Sequence, residues 1–192
     1  MTSIKGLREL ASDEALYTVD VNQWIAAIIV ALKKTPNLSD NAKFGTRIQE
    51  YALTGRRMVN GKKLVIGTSR RIMDTFVHTL ANSTDPDGFC LEDPNFRVPV
   101  DFSQKWFLKR YNSLARVNAV FFDQTVWTKD ELTALSAAPY GMPDWEDEGV
   151  FQTAMTLGSD AIMGLDDKFR TAVERRNMRW IGPAEMRNLL PR

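Results

Sequence analysis

The sequence predicts an all-α protein: a mostly helical core carrying one small β-hairpin, with extended N-terminal and C-terminal arms. Three observations lead there. Apolar residues recur at helical spacing in most segments. Glycine and proline are sparse, at 11 and 8 among 192 residues, so long helical stretches run uninterrupted. The strongest hairpin signal is Asn60-Gly61, set between short apolar runs. The chain divides accordingly into an arm (residues 1–15), a helical core (16–163) and a tail (164–192).

Taken in order, residues 1–15 show no firm core pattern and read as a loosely held arm. A helix over 21–34 places Trp24, Ile28, Ala31 and Leu32 on one face. A second, over 41–54, uses Phe44, Ile48, Tyr51 and Ala52. In "MVNGKKLVI" the Asn-Gly turn predicts a two-stranded ribbon with Lys62 and Lys63 near its tip. Thr68 or Ser69 offers an N-cap for the helix "SRRIMDTFVHTLAN", whose apolar residues Ile72, Met73, Phe76, Val77 and Leu80 share one side. The acidic, proline-containing stretch 82–101 is a surface excursion. Helices follow over "FSQKWFLKRYN" and "SLARVNAVFFDQTVW", then one from the capping box "TKDE" at 128–131. "PYGMPDWEDEG" reads as a loop, 149–163 as a helix, and "DDKFRTAVERRNMRW" as weakly helical until Gly182-Pro183 stops it.

Composition narrows the function classes. Hydrophobic residues make up 44% and charged residues 26%, ordinary values for a folding chain. The net charge of +1 announces no partner, but its distribution is uneven. "GRRMVNGKKLVIGTSRR" carries Arg56, Arg57, Lys62, Lys63, Arg70 and Arg71 with no acid, while acids gather in "DPDGFCLED" and "PDWEDE". Such segregation can build a positive groove on a neutral molecule. The single cysteine, Cys90, excludes an internal disulfide and a multi-thiolate zinc site. The apolar run "IAAIIVAL" is too short to span a bilayer, and the N-terminus lacks a signal-peptide core, so a soluble intracellular protein is expected.

Enzyme signals are poor. His78, the one histidine, lies on or beside an apolar helix face and reads as packed or surface-placed rather than as a base. No H-E-x-x-H, C-x-x-C or G-x-G-x-x-G occurs. "GRRMVNGKK" has the wrong glycine spacing for a phosphate-binding loop, and Lys63 stands where a hydroxyl should hold magnesium. Asp166 and Asp167 in "GLDDKF" read as capping and dipole compensation rather than as metal ligands. Neither a metal nor a cofactor is expected. Aromatic and basic residues interleave in "QKWFLKRY", a pattern that suits base stacking, although Trp106 and Phe107 read as core.

Three segments in order, "SRRIMDTF" (69–76), "SLARVNAVFFD" (113–123) and "MGLDDKF" (163–169) with "EMRNLLPR" (185–192), together resemble the coat proteins of flexible filamentous plant viruses, the potyvirus and potexvirus type. The resemblance implies a mostly helical RNA-binding core over 16–163. It implies a non-enzymatic protein that polymerises with identical subunits into an open helical filament around single-stranded RNA, found in the virion and the host-cell cytoplasm. It further implies that Arg70 and Asp123 meet at the RNA groove. There the carboxylate would fix the guanidinium so that its other donors address RNA. The family's groove serine has no clear counterpart, and Thr54 in "ALTGRR" is the candidate whose hydroxyl could serve. Arg71, Arg56, Arg57, Lys62 and Lys63 would add backbone neutralisation. The rival readings are a nucleoprotein of a segmented negative-strand RNA virus and, from another class, a small helical enzyme or cellular interaction module.

Overall fold

The segment Glu14–Val19 is buried along almost its whole length, with Ala15 to Val19 at 2% exposure or less. A run buried on both faces is the mark of a strand inside a parallel sheet, and that is what the computed structural model contains. It describes residues 9–32, 40–82, 97–117, 119–122 and 140–190. Along the chain these form β1 (Glu14–Val19), α1 (Val21–Ala31), α2 (Asp40–Thr54), β2 (Lys63–Ser69), α3 (Arg70–Asn82), α4 (Val100–Val117) and β3 (Ala119–Phe122). They continue as α5 (Trp145–Leu157), β4 (Ala161–Met163), α6 (Asp167–Glu174), β5 (Trp180–Ile181) and α7 (Pro183–Leu189).

The strands form one five-stranded sheet in the order β3-β2-β1-β4-β5. Every pairing is parallel: Glu14 lies opposite Lys63 and Tyr17 opposite Ala161, while Ile66 faces Ala119 and Ile162 faces Trp180. The chain is therefore α/β, and the all-α expectation with its extended arms is corrected. Buried parallel strands read as short continuous apolar runs, which periodicity alone does not separate from helix. Residues 14 and 15 belong to the central strand rather than to an arm. The tail from 164 carries α6, β5 and α7, and β5 closes one edge of the sheet.

The hairpin is corrected in the same way. Asn60-Gly61 does turn the chain, with Gly61 at φ +79° and the Met58 N–H donating to the Lys62 carbonyl at 2.8 Å. Only one antiparallel bridge follows, Arg57 with Lys63. The apolar run beyond it joins β1 and β3 in parallel instead of folding back. Residues 149–163 and 166–180, each expected to be helical, hold instead the end of α5 with β4 and the whole of α6 leading into β5. The helix expected through "SLARVNAVFF" ends at Val117, and its continuation is β3. Residues 128–131 lie outside the described segments.

Helices α1 to α4 pack together over one face of the sheet. Trp24 of α1 meets Phe107 of α4 with ring centroids 4.4 Å apart, and Phe76 of α3 lies 5.3 Å from the same ring. Phe107 is thus core, as its helical spacing implies. On the other face, Leu157 of α5 packs on Leu16 and Val65. The hydroxyls of Ser69 and Thr153 meet at 2.8 Å, tying the end of β2 to α5. Ser69 also accepts from the Ile72 N–H at 3.3 Å, so it caps α3 as its position predicts.

Candidate functional site

In an open parallel sheet, ligands bind outside the carboxyl ends of the strands, where the strand order reverses. Here the reversal lies between β1 and β4. Asp20 follows β1 immediately, and Gly164 follows β4. The Asp20 N–H donates to the Met163 carbonyl at 2.9 Å, extending the pairing past the last ladder residues. Gly164 is needed for this approach: a Cβ there would lie 2.4 Å from the Trp180 ring and 3.1 Å from Asp20 Oδ2.

Three of the helices that begin at this edge are N-capped by an aspartate. Asp20 caps α1, Asp144 caps α5 and Asp166 caps α6. Asp144 Oδ1 accepts from the N–H groups of Glu146 and Asp147 at 2.9 and 2.8 Å. Asp166 Oδ1 accepts from Lys168 and Phe169 at 2.6 and 2.9 Å. Asp20 Oδ1 accepts from Val21 at 2.7 Å. All three caps use Oδ1.

Asp147, in the first turn of α5, shows how crowded these charges are. Its carboxyl is pushed up to about 8 by burial first, then by the charges of Asp144, Asp20, Asp166 and Glu146 in that order. Like charges around one carboxylate favour its protonated form, and a cation arriving among them would reverse that. Among the described residues, no three His, Cys, Asp or Glu side chains are grouped as a ready metal centre. A closed zinc-type cage is therefore not what this edge offers. Magnesium differs, because it keeps several waters and is commonly held by one or two carboxylates together with substrate phosphate.

The basic stretch 55–71 is divided between the two ends of β2. Lys63 opens β2 and Arg70 follows its last residue, so the strand, at about 3.3 Å per residue, separates them by roughly 20 Å. At the amino edge Arg57 donates to Asp13 at 2.8 Å and to the Gly61 carbonyl at 2.7 Å, and Lys63 Nζ lies 3.5 Å from Asp13. Lys62 is exposed. Arg56 sits 5.6 Å over the Tyr51 ring, and the Thr54 hydroxyl donates to the Glu50 carbonyl at 2.7 Å. At the carboxyl edge, Arg70 pairs with Asp74 at 3.0 Å. Asp123, the expected partner of Arg70, lies outside the described residues.

Arg71 is buried at 9% exposure. It donates to the Trp145 carbonyl at 2.7 Å and stacks over the Trp145 ring at 5.8 Å. Burial lowers its pKa, partly offset by the nearby Glu148 carboxylate. Glu148 is itself fully buried, accepting from the Tyr140 and Met142 N–H groups at 2.8 and 3.1 Å. The arginine therefore fastens the start of α5 to α3. His78 is exposed on α3, with its ring 6.3 Å from Trp145.

The acids of this edge were not legible as a site. Asp166 reads as a cap, which it is, and "PDWEDE" reads as a loop although Asp144 caps a helix whose first turn is Glu146, Asp147 and Glu148. The signal that does point there is shared by two segments, "LYTVD" and "AIMGLDD": a short β-prone apolar run ending in an acid that opens a helix. The fold and site define a doubly wound α/β protein with an acidic switch point. No protein-family model, curated protein or solved structure matches the chain. Among the described residues, no helix is long and apolar enough to cross a membrane.

Proposed function

We propose that this protein is a divalent-cation-dependent hydrolase of phosphodiesters, acting on single-stranded nucleic acid. The observation that carries the reading is that three helix starts capped by aspartates, Asp20, Asp144 and Asp166, lie at the carboxyl edge where the strand order reverses, with Asp147 in the first turn of one of them. A hard cation held by one or two of these carboxylates would be completed by a phosphate oxygen, polarise it and activate a water. The edge is open, since Asp144 and Asp166 are exposed, which suits a polymer better than an enclosed metabolite. Arg70 starts α3 at the same edge. Its exposed pair with Asp74 is of the weak kind, easily exchanged for a phosphate.

This reading departs from the non-enzymatic expectation. Filament assembly around RNA, which the resemblance implies, came with a mostly helical core, and the parallel sheet lends that reading no support. One experiment separates the two. A labelled single-stranded RNA is incubated with the protein and Mg2+ or Mn2+, and the mixture is also imaged by negative-stain microscopy. Cleavage that stops in EDTA and falls about 100-fold or more in Asp20→Asn, Asp147→Asn and Asp166→Asn supports the hydrolase. Asn retains a capping oxygen, so these variants keep their helix starts. Regular rods with intact RNA would support the coat protein, and cleavage indifferent to EDTA or to Asp147→Asn would falsify the hydrolase.

A further inference from the structure

Trp145 is half exposed, at 50%, yet it is not loose. The Arg71 guanidinium lies 5.8 Å from its ring centroid and also donates to its main-chain carbonyl at 2.7 Å, so one side chain supports both the indole and the backbone that carries it. His78 meets the indole nearly edge-on, at 6.3 Å and 76°. Gly149 makes the support possible: a Cβ at that position would come within 2.4 Å of Arg71 Nε. With half the residue exposed, part of the indole surface is left to a ligand. The residue sits between Asp144 and Glu146 at the start of α5, next to the acids of the switch point.

Building on the hydrolase reading, we propose that Trp145 is a stacking platform for an unpaired base of the substrate strand, about one or two nucleotides from the phosphate held at the acids. A ring fixed in advance loses little freedom when a base stacks on it. Stacking of this kind tolerates any base, because every base has a π face, and it demands one that is not already paired in a duplex. Trp145 thereby selects single-stranded over double-stranded nucleic acid without reading sequence.

The test compares wild type, Trp145→Phe and Trp145→Ala in binding a fluorescein-labelled 12-nucleotide RNA, with Ca2+ replacing Mg2+ to hold back turnover. A matched oligomer of abasic sugars is the second probe, and thermal melting checks that the variants fold. Trp145→Ala is expected to bind the RNA roughly tenfold more weakly, with Trp145→Phe between, while all three bind the abasic strand alike. Equal RNA binding by Trp145→Ala and wild type overturns the platform, as does an equal loss on the abasic strand. Cleavage in Mg2+ is read separately. Wild type that cuts RNA while Trp145→Ala binds normally removes the platform and leaves the hydrolase, and wild type that binds through Trp145 without cutting does the reverse. A wild type that binds neither strand removes both.

Discussion

The N–H of Asp20 donates to the carbonyl of Met163 at 2.9 Å, and this bond joins the carboxyl ends of the two strands between which the sheet reverses its order. It brings the first helix-capping acid beside the turn that leads to the last, and it leaves no room for a side chain at Gly164.

Gly164→Ala should therefore be costly. The added methyl meets the Trp180 ring, buried against Phe169, and the Asp20 carboxylate at once. Overpacking of this kind destabilises by about 1–3 kcal/mol. Urea unfolding measures it, and a change within about 0.5 kcal/mol would mean that the strand ends can part freely.

Asp147 predicts a pH dependence whose sign is fixed. Its carboxyl is raised to about 8 in the fold by burial and by Asp144, Asp20, Asp166 and Glu146. Between the usual carboxylate range and about pH 8, the native chain keeps a proton that the unfolded chain has released. Rising pH then favours unfolding across that window, by at most about 1.4 kcal/mol per pH unit, and the effect levels off above it. Thermal melts in EDTA from pH 5 to 8.5 should fall more steeply for wild type than for Asp147→Asn, and parallel curves would refute the crowding of charge.

Glu148→Ala should destabilise through the loop before α5. The substitution strands the Tyr140 and Met142 N–H groups, each losing a carboxylate acceptor. Buried donors left unsatisfied cost about 1–3 kcal/mol each. It also removes the anion nearest the buried Arg71. Chemical denaturation gives the loss, and amide exchange at 140 and 142 should accelerate first.

Charge removal at the amino edge should leave catalysis alone. Arg57 and Lys63 are engaged with Asp13 at the end of the sheet away from the acids. Arg57→Ala and Lys63→Ala should keep RNA cleavage within about twofold of wild type, whereas Arg70→Ala should weaken substrate binding several-fold and flatten its salt dependence. A large loss at Arg57 would restore the continuous basic groove that the sequence suggests.

Helices were the readable part of this chain. The periodicity of 21–34, 41–54 and 69–82 foretells α1, α2 and α3 closely, and Ser69 is the cap that its chemistry suggests. The strands escaped because each is short, and β1, β2 and β4 are buried on both sides. "LYTV" and "LVIG" show no alternation, and β4 and β5 are three and two residues long, below the reach of any pattern. The basic stretch is divided for a related reason: neighbours in sequence lie at opposite edges when a buried strand runs between them. The acidic edge assembles residues from positions 20, 144–147 and 166, a nearness created only by the sheet.

The central position of β1 also governs how the molecule is made. Its partner on one side, β2, leaves the ribosome soon after it, but its partner on the other, β4, ends at Met163. At ordinary synthesis rates the nascent protein waits roughly ten to thirty seconds with one flank of its innermost strand uncovered. Such an interval exposes main-chain donors and acceptors to other polypeptides. Slower translation or early termination before β4 should thus send this product toward chaperones and aggregates rather than toward a smaller stable fold.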